Sequence, residues 1–174
     1  ANASSSFQTA IEQDPNYYDA YIRLGILYSK LPKKNKNRAL AYDYFNSAIE
    51  IRPDFIEAHY DKAMFCQEND MPDEALDEYE KIIAIDPNFE SAWHNKGYVY
   101  LVYKADYKLA IEYFTKAINI KPTYVGAYHN RALAWLKMGD IQRAKDDFNS
   151  ALAIDPQYDK SAIELDNIDK GKID

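Results

Sequence analysis

Cysteine is nearly absent: Cys66 is the only one in 174 residues. A single thiol excludes an internal disulfide framework and a metal site built from several cysteines, and reads as a small core residue. Glycine is scarce as well, with five in the chain, and none stands near another in the spacing of a phosphate-cradling loop. No serine sits in a nucleophile elbow. Basic charge is in deficit: 21 Lys and Arg face 28 Asp and Glu, for a net charge of −7. That balance opposes the counterion release that draws proteins onto nucleic acid, so no nucleic-acid partner is expected. No apolar run approaches the roughly 20 residues that cross a bilayer, and Ala1 to Ser6 have neither the basic flank nor the apolar stretch of a leader. No membrane span is expected.

What the chain does have is a period. Prolines stand at Pro15, Pro53, Pro87, Pro122 and Pro156, each closing a similar phrase, such as Ala-Ile-Glu-Ile-Arg before Pro53 and Ala-Ile-Asn-Ile-Lys before Pro122. The intervals are 38, 34, 35 and 34 residues, within the range of helical repeat arrays. Upstream of each proline an alanine is followed four residues later by a ring, as in Ala41 and Phe45, Ala75 and Tyr79, Ala110 and Phe114, and Ala144 and Phe148. Spacings of three and four share one helical face, where the alanine admits a neighbouring helix and the ring fills the groove beside it. Proline ends the helix, because it donates no N–H and pushes the preceding residue out of helical geometry.

After each proline a second pattern begins. Tyr21, Leu24, Gly25 and Tyr28 resemble the tetratricopeptide signature W-x2-L-G-x2-Y, as do Trp93, Lys96, Gly97 and Tyr100. Looser copies are His59, Lys62, Ala63 and Cys66, and Tyr128, Arg131, Ala132 and Trp135. Lysine or arginine in the leucine position suggests a stem lying on apolar surface with its charge in water.

The chain is thus identified as a member of the tetratricopeptide repeat (TPR) family. The resemblance implies an all-α fold: a right-handed α-α superhelix over residues 1–174 as one solenoid domain. It would hold a half repeat at 1–15, four complete helix-pair repeats at 18–53, 56–87, 90–122 and 125–156, and a capping helix at 158–170 anchored by Ala162, Ile163, Leu165 and Ile168. Helices are expected at 3–13, 17–31, 37–51, 55–68, 72–85, 89–103, 106–120, 124–138, 141–154 and 158–170. Four extra residues in the Leu31 to Asn37 segment, with Lys33, Lys34, Lys36 and Arg38 beside them, read as a projecting, solvated basic loop. One extra residue near Tyr103 to Asp106 predicts an irregular turn.

The resemblance implies a function in protein recognition and no catalysis. In this family the concave wall, lined by the first helix of each repeat, holds an extended peptide or a partner helix. The positions expected there include Ile22, Arg23, Ile26 and Ser29; Tyr60, Asp61 and Met64; His94, Asn95 and Tyr98; and His129, Asn130 and Leu133. Asn95 and Asn130 resemble two rungs of the asparagine ladder by which some members pair with a peptide backbone. Tyr60 and Tyr98 are candidate aromatic anchors, while Tyr28, Tyr79 and Tyr100 fall at packing positions. Some members clamp a partner's terminal carboxylates with basic side chains; the corresponding positions here, Ile22, Ile26, Asp61, Ser91 and Asn95, lack the basic pair this needs. A mixed-polarity or basic peptide fits Asp19, Glu57 and Asp61 better.

The three histidines, His59, His94 and His129, recur at the repeat spacing, which explains them without a metal, and no cofactor is expected. Two other roles remain open: an assembly module, in which Phe7, Ala10 and Ile11 form an edge that stacks on a second copy, or the recruiting domain of a larger protein.

Overall fold

The computed structural model describes residues 3–172. Among them are ten α-helices and no strand. The chain divides into two compact units, meeting in sequence at Pro87 and Asn88. The first holds α1 (Ala3–Gln13), α2 (Tyr18–Ser29), α3 (Leu40–Ile51), α4 (Ile56–Glu68) and α5 (Pro72–Ile85). The second holds α6 (Glu90–Val99), α7 (Tyr107–Ile120), α8 (Val125–Lys137), α9 (Ile141–Ile154) and α10 (Asp159–Asp169).

Proline closes the second helix of each pair as its chemistry requires. Arg52, Asp86, Lys121 and Asp155, each followed by proline, leave the helix with φ between −130° and −138° and ψ between 84° and 97°. This is the extended geometry that the proline ring forces on its predecessor. At the other end, Asp106 and Asp140 accept the backbone N–H of Leu109 and Arg143, and Pro72 opens α5 where no donor is needed. First helices carry Asp19, Glu57, Glu90 and Asp159 in their opening turns, where carboxylates complement the helix dipole.

Within each pair one ring fills the crossing. Phe45, Tyr79, Phe114 and Phe148 are buried completely or nearly so, under the small residue of the first helix. A Cβ added at Gly25 would come within 2.5 Å of the Phe45 ring, and one at Gly97 within 2.9 Å of Phe114. Glycine is required at these two positions by the closeness of approach.

The two insertions take forms the sequence did not show. The extra residue of the third repeat is absorbed as a π-helical turn, Tyr100–Lys104, ending in Ala105 at φ 51° with the Asp106 N–H bonded to the Tyr100 carbonyl. α6 accordingly ends at Val99, four residues before the expected 103. In the longer insertion Lys33, Lys34 and Lys36 are exposed, as expected of a solvated basic loop, but Arg38 beside them is not. Residues Lys36–Ala39 form a 3-10 turn, delaying α3 to Leu40, and Arg38 is buried. Its guanidinium donates to the carbonyls of Ser29 and Leu31, to Asn69 Oδ1 at 3.2 Å and to Glu68 Oε2 at 2.9 Å, and lies 5.4 Å from the Phe65 ring centre. The last helix also departs from expectation. Ser161 and Ile168 are its buried anchors and Leu165 is half-buried, whereas Ala162 and Ile163 face solvent.

Candidate functional site

The basic residues in the signature's leucine position do not hold their charges in water. Lys62 and Lys96 are buried and Arg131 is half-buried. Each meets a partner on the second helix of its pair at one equivalent position. Lys62 Nζ lies 2.8 Å from Glu78 Oε1, Arg131 forms a bidentate pair with Asp147 at 2.7 and 2.8 Å, and Lys96 sits 4.4 Å from the ring centre of Tyr113. In the first repeat Leu24 occupies the position instead, and Tyr44 stacks on Tyr28. These contacts hold each pair of helices together, and they remove the cations from any ligand surface. Burial would raise the Glu78 carboxyl, yet hydrogen bonds from His59, Lys62 and Lys81 outweigh it and hold the pKa down at about 2.

One expected recognition row turns inward. Ile22 is fully buried against Ala48 and Ala58 with Phe55 alongside. His94 lies 4.8 Å from the Tyr124 ring, and buried His129 lies 5.4 Å from Tyr158 and 3.0 Å, through Nδ1, from the Ser161 hydroxyl. The aromatic that opens the next first helix covers this row, so His129 does not face a groove. Tyr60 is half-buried, 6.5 Å from the Tyr79 ring. Asn95 and Asn130 are joined through the His94 ring. His94 Nδ1 is 2.9 Å from Asn95 Oδ1, and its Nε2 is 2.9 Å from the Asn130 amide nitrogen. A neutral ring protonated on Nδ1 donates to Asn95 and accepts from Asn130. Arg23 is exposed and pairs with Asp19 at 3.4 Å; Tyr98 and Asn130 are half-buried. Phe7, Ala10 and Ile11 are half-buried on α1, a helix with no fully buried residue.

Burial, and after it the charge of Lys160, push the His129 imidazole down to about 4, and burial lowers His94 in the same direction. A histidine neutral in the fold but protonatable near pH 6.5 when unfolded contributes stability that is complete above that pH and is lost as pH falls towards 4. Urea unfolding followed between pH 7 and 4.5 is therefore expected to show the second unit losing about 1 to 2 kcal/mol, discounted for water at the ring edge, with a smaller loss in His129→Gln.

In the first unit a cavity of about 490 Å³ opens between α2 and α4. Ile26, Ser29 and Lys30 come from the end of α2, Phe45 from α3, and Asp61, Met64, Phe65 and Glu68 from α4, with Arg38 closing one side. Asp61 Oδ2 is buried and has no hydrogen-bond partner among the described residues. Burial, then the charge of Glu57, push its carboxyl up to about 6, with Arg23 and Lys30 pulling the other way. Ile26, Ser29, Asp61 and Met64 were legible as surface positions from helical spacing. Arg38, Phe45, Phe65 and Glu68 were not, because Arg38 arrives from beside the insertion, Phe45 from the packing of α3, and Phe65 and Glu68 of α4 are met there by Arg38.

Models of one family, described as tetratricopeptide repeat, match residues 6–41, 33–96, 90–124 and 125–158. No curated protein matches the sequence. Among solved structures, a crystal structure of MamA is similar at 24% identity and a TM-score of 0.79, over 90% of this chain and 89% of that one. A tetratricopeptide repeat protein from Parabacteroides merdae is similar at 20% identity and a TM-score of 0.80, over 97% of this chain and 66% of that one. The first TPR of Spaghetti (RPAP3), bound to the HSP90 peptide SRMEEVD, is similar at 23% identity and a TM-score of 0.63, over 67% and 91%. These likenesses are of fold.

Proposed function

Because the chain belongs to the tetratricopeptide repeat family, we propose that it is a non-catalytic protein-interaction scaffold that holds a peptide or a partner segment against the exposed side of its first helices. The observation that carries this reading is the cavity between α2 and α4, two consecutive first helices. Its lining combines the apolar Ile26, Phe45, Met64 and Phe65 with the polar Ser29, Lys30, Arg38, Asp61 and Glu68. Binding sites have this composition: apolar area supplies affinity and a few polar groups set orientation. In the second unit Tyr98 and Asn130, on α6 and α8, supply an aromatic body and an amide on the corresponding side. The acidic SRMEEVD peptide bound by the RPAP3 domain is a poor guide to the ligand here, since the Asp61 carboxylate in the cavity would repel an acidic tail.

An immobilised array of random dodecapeptides tests the reading. The intact chain is expected to retain a defined subset. A variant carrying Met64→Ala and Tyr98→Ala, checked for native circular dichroism, is expected to bind that subset about tenfold or more weakly. If no peptide is retained at about 100 μM chain, the scaffold reading fails.

A further inference from the structure

We propose that the cavity between α2 and α4 receives one lysine or arginine side chain of the bound segment, with the Asp61 carboxylate as its counter-charge. The proposal rests on the scaffold reading and names what one of its positions takes.

Three observations converge. The first is the partnerless oxygen. A buried lone pair without a donor is uncommon, because its lost hydration is uncompensated, and Asp61 Oδ2 is in that state. The fold has cations nearby and does not use them for it. Arg38 spends its nitrogens on Ser29, Leu31, Asn69 and Glu68, Arg23 pairs with Asp19, and Lys30 is exposed.

The second is the polarity of the other lining groups. The Ser29 hydroxyl gives its hydrogen to the Ile26 carbonyl at 2.8 Å, so its oxygen offers lone pairs to the cavity. Ser29 and Asp61 both accept, which selects a donor beside them. A cationic donor gains most, because hydrogen bonds to an ionised carboxylate are the stronger kind.

The third is shape. Ile26, Phe45, Met64 and Phe65 line the same cavity as Asp61. Lysine and arginine join an apolar stem to a terminal charge, and a cavity that sets apolar side chains beside a carboxylate suits that form. A small cation without a stem would leave these side chains unused.

The groups facing Asp61 are Arg23 and Lys30 from α2 and Glu57 on its own helix, with Glu68 and Arg38 paired across the cavity and α3 contributing the Phe45 ring. A cation docking beside a carboxyl raised by burial draws it back into the ionised form, so binding releases a proton and weakens as pH falls below about 6.

The test is an NMR titration of the intact chain with N-acetyl-lysine methylamide and, as control, N-acetyl-norleucine methylamide, which has the stem without the charge. The lysine compound is expected to shift the amides of Ile26, Ser29, Asp61 and Met64 saturably, at least about tenfold more tightly than the control. That contrast should shrink between pH 7 and pH 5 and vanish in Asp61→Asn. This variant removes a charge from a partly buried site, keeps its shape, and is expected to fold at least as well, so loss of the contrast is not loss of structure. Equal binding of the two compounds, or a contrast that survives Asp61→Asn, overturns the pocket. If the dodecapeptide array retains ligands whose affinity is indifferent to lysine and arginine, the pocket falls and the scaffold stands. If the array retains nothing while the lysine compound still shifts Asp61, the scaffold falls and the pocket stands.

Discussion

Glu78→Ala is expected to destabilise the first unit by about 3 to 5 kcal/mol at pH 7, measured by urea unfolding. The carboxylate accepts from Lys62 and Lys81 at 2.8 Å each and bonds to His59. Truncation leaves the buried Lys62 ammonium without a counter-charge and the His59 ring without its partner. Breaking one side of a buried ion pair costs far more than the pair itself contributes, because a stranded charge keeps its full desolvation penalty. The pH dependence has a fixed sign. With the folded pKa held at about 2, down from 4.5, Glu78 contributes its full stability above pH 4.5 and loses it as pH falls towards 2. The gap between the variant and the parent chain is therefore expected to close over that interval. A loss below about 1 kcal/mol at pH 7 would mean that Lys62 swings its charge into water at little cost, as its sequence position alone suggests.

Phe114→Ala is expected to cost the second unit about 3 to 5 kcal/mol, the usual loss for emptying a fully buried aromatic site. The close approach of Gly97 makes the experiment more specific. Its missing Cβ would lie 2.9 Å from the ring and 3.2 Å from the Ala110 carbonyl oxygen, so Gly97→Ala alone is expected to cost about 1 to 3 kcal/mol through overpacking. In the double variant the added methyl enters space the ring has vacated, and the combined loss is expected to fall short of the sum by about 1 kcal/mol or more. Strict additivity in calorimetric or urea unfolding would show that the two residues are not in contact.

The contrast between Arg38 and Pro53 shows how far the sequence reaches. Pro53 acts on its immediate neighbour, and Arg52 accordingly takes the extended geometry that ends α3. Arg38 stands among lysines and asparagines that read as solvated loop, and its partners Glu68 and Asn69 lie some thirty residues onward. Nothing local distinguishes a guanidinium that will fold back from one that will not. The inserted residue near Tyr103 is a similar case. Its presence is countable, but whether the backbone widens into a π-turn or loops out depends on Asp106 finding the Tyr100 carbonyl.

Ile22 and His129 turned inward for another reason. Helical spacing places residues on a face but does not say which neighbouring ring will cover it, and Tyr124 and Tyr158 cover His94 and His129. The paired cations at Lys62 and Arg131 carried a signal that could have been used. Each is followed sixteen residues later by a carboxylate, Glu78 or Asp147, on the facing second helix.

The sequence by itself determined the helical fold class, the pairing of helices, the proline stops and the ring that fills each crossing. All of these depend on spacings within a few turns of one chain, where backbone geometry translates residue order directly into position. Tertiary structure alone decided which charges are buried, where the insertions go, and that Asp61 ends with a buried oxygen in a cavity it shares with Phe45, Met64 and Phe65. Those outcomes are sums of burial, charge and shape from segments distant in sequence, and no periodicity records them.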